Sequence, residues 1–222
     1  MARVYKRDLV KRTKDIVKKR EGSKSVKPLA KKDYSKMANI VLNLRDANKE
    51  DPETYFKYYR DYLFMVISVN MGFRTEVVLE MKPEDIKGKK VTVTEYKTGK
   101  RFEFDLNDTV YEEIQKYIRE FHIKDHEFFF KKTLNEYDAI TRQTMWRRVK
   151  FLAKKAKIEY RVGCHSFRKS YGRWMYDEKH DIHLVQQFYK HSSPATTERY
   201  IGLEKGDIDA MRKDIEYVPV RA

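Results

Sequence analysis

The chain has 222 residues, of which 41% are hydrophobic, with 12 Phe and 16 Tyr, so it can bury a core and global disorder is excluded. Its 49 Lys and Arg stand against 34 Asp and Glu, a formal charge of +15 that points to a polyanionic partner such as nucleic acid. One cysteine, Cys164, excludes an intrachain disulfide or a cysteine-rich zinc cluster, and no apolar run is long enough for a membrane span or a secretory signal, so a cytosolic, nucleoid-associated location is expected.

Residues 1–32 carry a dense run of Lys and Arg with a thin apolar stripe at Val4, Leu9, Val10, Ile16 and Val17, and predict a basic helical arm that breaks near Gly22 and ends before Pro28. A compact region is expected from Asp33 onward. Met37, Ile40, Val41 and Leu44 recur at helical spacing. Asp51-Pro52-Glu53 reads as a helix start, with Asp51 as the cap and Pro52 in the first turn. That helix continues through Ile67 to Gly72, whose missing side chain suits a left-handed end.

Lys90-Val-Thr-Val-Thr-Glu-Tyr96 and Arg101-Phe-Glu-Phe-Asp-Leu106 alternate with period two around Lys97-Thr98-Gly99-Lys100, which predicts a β-hairpin. Residues 108–121 read as helix. Phe128-Phe129-Phe130 fits either a short buried strand or irregular core. Thr141 caps a helix bearing Met145, Val149, Leu152 and Ala156. From His165 the chain reads as short helices broken near His180-Asp181 and Ser193-Pro194, and Ile208, Met211 and Ile215 mark a last one. The predicted fold is mainly α with a small antiparallel β-sheet.

The chemistry gathers in one stretch. His165-Ser-Phe-Arg168 is followed by His191, 26 residues after the first histidine, and Tyr200 stands nine residues later. An arginine, two histidines and a phenol are the groups needed to hold a phosphodiester, move protons around it and attack it without a metal. Phosphoryl exchange is mainly positioning and charge stabilisation, and arginine presents a permanent fork of donors to phosphate. His165 and Arg168 share a helical face. Arg74 follows Gly72 at a helix end. His180 and His183 have the spacing of a metal pair but no third ligand, and no metal or other cofactor is expected.

The pattern resembles the catalytic domain of the tyrosine recombinases, the phage integrase superfamily, with the DNA breaking-rejoining fold. The first box matches Gly72-Phe73-Arg74 with Leu79 and Asp85-Ile86. The hairpin lysine matches Lys97. The later boxes match His165-Ser-Phe-Arg168, His191-Ser-Ser and Thr196-Thr197-Glu-Arg-Tyr200. The resemblance covers roughly residues 35–203 and divides the chain into a basic arm, 1–32, and a catalytic domain, 33–222.

The resemblance implies a site-specific recombinase that cuts and rejoins DNA through a 3′-phosphotyrosyl intermediate. Tyr200 would be the nucleophile, His165 its base and Lys97 the acid on the leaving 5′-oxygen, with Lys100 as the rival lysine. Arg74, Arg168 and His191 would hold the phosphate. Arg74, Lys97, Lys100, Arg168 and Lys169 would contact double-stranded DNA at short specific sites. It further implies a homo-tetramer on DNA that is monomeric when free, with accessory DNA-bending proteins, and a short form similar to site-specific invertases in which the arm replaces a separate clamping domain. Two positions depart from the family pattern. Val77 stands where an acid is usual, with Glu76 one residue earlier, and Lys190 stands where glycine is frequent. They motivate an alternative, a DNA-binding regulator that keeps the fold without cutting; a topoisomerase-like relaxing enzyme would use the same chemistry.

Overall fold

The computed structural model describes residues 25–95, 99–204 and 206–207. In chain order they form α1 (Lys31–Asp46), α2 (Pro52–Met71), α3 (Thr75–Leu79), a 3-10 turn (Pro83–Asp85), β1 (Ile86–Lys87), β2 (Lys90–Glu95), β3 (Lys100–Asp105), α4 (Asp108–Phe121), α5 (Arg142–Lys155), α6 (Cys164–Lys179), α7 (Ile182–Tyr189) and α8 (Pro194–Ile201).

The centre is α2. The Asp51 carboxylate accepts from the Thr54 amide at 3.2 Å, Pro52 opens the first turn, and Gly72 closes the helix with φ 60°. Twelve of its twenty residues are buried and they lie on every face, which is the pattern of a helix packed all round. It packs against α1, α4 and α6. Fully buried Phe56, Leu63, Phe64 and Ile67 anchor the main hydrophobic core.

The hairpin forms as the alternation predicts. Val91 faces Phe104 and Val93 faces Phe102, so the apolar residues share one side of the sheet. The short strand β1, which the sequence analysis did not anticipate, adds to the outer side of β2. Phe73 packs on Phe102 and Phe104, with ring centroids 5.1 and 5.7 Å apart, and so fixes the hairpin beside the turn that precedes Arg74.

Phe128-Phe129-Phe130 is irregular core rather than a strand. Phe129 and Phe130 are fully buried, and the nearby pairing is one isolated bridge between Lys131 and Ala139. Buried Arg60 holds this stretch by donating to the carbonyls of Lys131 and Lys132 at 2.9 and 2.8 Å. Arg60 and Arg148 both reach the buried Asp61 carboxylate, at 3.3 and 2.6 Å. Burial pushes Asp61 up and the two guanidiniums oppose it, so losing both would leave a costly unpaired charge.

Residues 25–30 run as an extended strap over α6. Leu29 is buried in the main core, its amide donates to Ser170 Oγ at 2.7 Å, and Trp174 Nε1 donates to its carbonyl at 3.2 Å. The packed body thus begins ahead of the expected start near Asp33, because apolar Leu29 and the strap's backbone groups find partners on α6. The rest of the predicted arm and the predicted helix around Met211 lie outside the described residues. Among the described residues no helix is long and apolar enough to cross a membrane.

Candidate active site

Arg168 lies on the second turn of α6 and is 6% exposed. Its guanidinium donates to the Gly72 carbonyl at 2.5 Å, lies 4.6 Å from the centroid of the Tyr189 ring, and hydrogen-bonds the Tyr200 phenol. The Tyr189 hydroxyl donates to the Arg168 carbonyl in turn. Tyr189 can lie this close to α6 because Gly172 has no side chain; a Cβ there would collide with the phenol. The arginine is therefore fixed at both its backbone and its guanidinium.

Arg74 is the N-terminal cap residue of α3, half-buried, and its charge acts on both His191 and Tyr200. Tyr200 comes from the last turn of α8. Ser193 caps this helix by accepting from the Thr196 amide at 3.2 Å, and Pro194 starts it. The Tyr200 ring stands 5.0 Å, centroid to centroid, from both His191 and Tyr189. Burial raises the Tyr200 phenol above its ordinary value, while Arg168 and Arg74 pull it back down.

His191 Nδ1 lies 3.1 Å from Thr197 Oγ1, and that hydroxyl also reaches the Ser193 carbonyl at 3.3 Å. With its proton on the Ser193 carbonyl, the Thr197 hydroxyl accepts from Nδ1–H; if it turns to donate to Nδ1 instead, the ring proton sits on Nε2 and can be donated in a hydrogen bond to a phosphate oxygen. Burial, Arg168 and Arg74 all lower the His191 pKa. His165 stands in the first turn of α6, with Nδ1 3.5 Å from Thr75 Oγ1. Its edge reaches solvent, yet desolvation by the surrounding protein lowers its pKa, helped by Arg168, Arg142 and Lys169 and opposed by Glu76. Both histidines are thus kept neutral at pH 7, able to accept a proton.

The structure brings together Arg74, His165, Arg168, His191 and Tyr200. Lys97 lies outside the described residues, as does the side chain of Lys100, although β3 begins at that residue. Lys169 differs from the DNA-contacting role expected of it. It is buried, and its ammonium donates inward to the Val26 carbonyl at 2.9 Å. Cys164 is likewise a buried small residue, its thiol pushed up to about 12 by burial. Among the described residues no group of three or more His, Cys, Asp or Glu could hold a metal ion.

The two departures have physical readings. Val77 points into the main core, and the Glu76 carboxylate instead accepts from Arg142 at 2.8 Å. Burial alone would raise Glu76, but its own backbone N–H, Arg142 and His165 together hold it below the usual carboxylate range. Lys190 caps α7 with φ 54°, a left-handed conformation that glycine adopts without strain. Its ammonium lies 5.7 Å from the Phe102 ring centroid, across to the hairpin.

Three residues of α5 were missed from sequence. Arg142, Gln143 and Trp146 join Val26, Thr75, Gly163, Cys164 and His165 around an open cavity of about 560 Å³. The available signal was α5 itself, which carries six Lys and Arg, no acid, and a Trp that is 46% exposed.

A profile of the phage integrase family matches residues 10–206. The chain is 29% identical over 179 residues to a probable integrase/recombinase, YoeC, of Bacillus subtilis (strain 168), covering 79% of this chain and 97% of that protein. It is 27% identical over 143 residues to the tyrosine recombinase XerA of Pyrococcus horikoshii, covering 64% of this chain and 50% of that one. The chain thus spans nearly all of the first relative and about half of the second. Among solved structures, the XerH site-specific recombinase in a post-cleavage complex with palindromic difH superposes with TM-score 0.65 at 18% identity, over 86% of this chain and 54% of that one. A XerA recombinase superposes with TM-score 0.63 at 19% identity, over 86% and 66%. At these identities the superpositions speak for a shared fold, mostly helical with a three-stranded antiparallel sheet. With a family match over most of its length and that fold around Arg168 and Tyr200, the chain belongs to the phage integrase family.

Proposed function

We propose that the protein is a site-specific DNA recombinase, cutting and rejoining double-stranded DNA through a 3′-phosphotyrosyl intermediate. The observation that carries this reading is the convergence on one phenol. Tyr200 is hydrogen-bonded by Arg168, lies in the field of Arg74 and is in ring contact with His191. A phosphodiester entering between these cations would meet its nucleophile and its charge stabilisation together.

In the proposed step, Tyr200 Oη attacks the scissile phosphorus and gives up its proton to His165. The new O–P bond replaces the bond to the 5′-oxygen, which leaves with a proton from Lys97. Arg74, Arg168 and His191 carry the charge on the non-bridging oxygens. The reverse attack by a 5′-hydroxyl rejoins a strand, so the energy of the broken bond is conserved. Arg142, Gln143 and Trp146 would lie against DNA next to His165, since cations with an exposed aromatic suit a polyanion carrying stacked bases. The same reading makes the packed strap at residues 25–30 part of the catalytic domain, gives the basic residues ahead of it a DNA-binding role, and expects a homo-tetramer on paired sites in the nucleoid.

A nicked suicide substrate bearing the chain's target site tests the proposal. The wild type is expected to form a covalent protein–DNA adduct that Tyr200→Phe abolishes. The loss of the acid at Val77 favours one rival, a regulator that binds DNA without cutting it; that rival expects no adduct and equal DNA affinity for wild type and Tyr200→Phe.

A further inference from the structure

Lys169 follows Arg168 in α6 but takes no part in the proposed step. It is 8% exposed, and desolvation lowers its pKa. A buried ammonium must find compensation, and this one has two sources. Its Nζ donates to the Val26 carbonyl at 2.9 Å, and it lies 5.2 Å from the centroid of the Tyr200 ring. The second contact is the geometry in which a cation is attracted to the negative face of an aromatic ring.

Val26 belongs to the strap, which is tied down at two points just after it. The Lys27 amide donates to the Arg161 carbonyl at 3.0 Å, and the Leu29 amide donates to Ser170 Oγ at 2.7 Å. The strap also reaches the end of the nucleophile's helix. Pro28 lies so close to Gly202 that a Cβ there would come within 3.2 Å of it, and Lys27 pairs with Glu204 at 3.3 Å. Strap, phosphate-binding helix and tyrosine ring therefore meet at one ammonium.

We propose that Lys169 is a positioning residue. Its ammonium, fixed by the Val26 carbonyl, holds the Tyr200 ring, so the strap at residues 25–30 sets where the attacking phenol stands. A phenol must stand in line with the leaving oxygen, and displacement by about 1 Å can cost on the order of a hundredfold in rate. Whatever pulls on the strap would then be felt at the nucleophile. The inference rests on Tyr200 being that nucleophile.

The test is single-turnover cleavage of the suicide substrate by the full chain. Lys169→Met keeps the buried volume and removes the charge. It should slow cleavage by about tenfold or more while DNA affinity and melting temperature stay unchanged, and Lys169→Arg should restore most of the rate. A substrate whose scissile 5′-oxygen is replaced by sulfur needs no proton donor, and it should leave Lys169→Met slow. Rescue by that substrate would make Lys169 an acid and overturn the positioning role. Should Lys169→Met melt early, Lys169→Gln decides, since it keeps a donor without the charge; wild-type cleavage by it overturns the ring contact. A wild type that forms no adduct sinks the nucleophile reading and this one with it. A Lys169→Met protein that cleaves as fast as an active wild type sinks this one alone.

Discussion

The two sides of the site rest on unequal foundations. Arg74 and Arg168 stand where α2, α3 and α6 meet the main core, in which Phe64 packs edge-on against Phe130 and Phe167. His191 and Tyr200 rest on a separate cluster whose fully packed members are Val185, Tyr189 and Ile201. The two arginines that hold the phosphate are thus built on the main core, while His191 and the nucleophile sit on a small satellite that can open at lower cost. The division suits a reaction in which the phosphate must be held still while one tyrosine engages and then leaves.

Substitutions on each side sharpen this contrast. The largest expected effect is on the rigid side. Phe64 is fully buried, and Phe64→Ala should cost about 3–5 kcal/mol of global stability by denaturant titration. A loss below about 1 kcal/mol would show that the main core is not the foundation claimed for it. Arg168→Lys keeps the charge but loses the fork that spans the Gly72 carbonyl and the phenol. It should lower the cleavage rate by on the order of a hundredfold, with DNA binding largely retained, as gel shift and single-turnover assays would register.

On the satellite side, Ile201→Ala should cost about 2 kcal/mol, the low end for a buried isoleucine. Hydrogen exchange should then quicken across α7 and α8 while α2 stays protected; uniform quickening would erase the contrast. Lys190→Gly should add up to about 1 kcal/mol by relieving the left-handed backbone, less whatever the Phe102 contact contributes. Destabilisation by this change would mean the contact to the hairpin outweighs the strain.

The finest comparison is in pH. His165 and His191 both have folded pKa values below the unfolded value of about 6.5. Unfolded chains therefore bind more protons than folded ones between those values, so this stability is complete above pH of about 6.5 and is lost as pH falls through the lower folded values. Cleavage that needs neutral His165 should persist below the ordinary histidine range and then fall. A rate that halves near the ordinary value would contradict the depressed histidine.

Much of this was legible in the sequence because the signals are local. Asp51-Pro52, Thr141 and Ser193-Pro194 each place a helix start within a few residues, and the Lys90–Glu95 alternation gives the hairpin directly. The order of Arg74, Arg168, His191 and Tyr200 was readable because a shared chemistry fixes residue types as well as spacing. What stayed hidden depends on distant partners. Whether Lys169 points out to phosphate or in to Val26 is decided by a strap 143 residues away, which no periodicity reports. Phe129 and Phe130 look like a strand by composition, but the α2 arginine satisfies neighbouring carbonyls and leaves the segment irregular. Trp146 and Arg142 were masked by their helix, whose amphipathic pattern reads as packing until the cavity beside His165 is seen.

The most direct measurement is peptide mapping of the trapped protein–DNA adduct by mass spectrometry. One nucleotide-bearing peptide is expected, modified on Tyr200 through a 3′-phosphate. Modification of Tyr189 or Tyr217, or linkage to a 5′-phosphate, would contradict it.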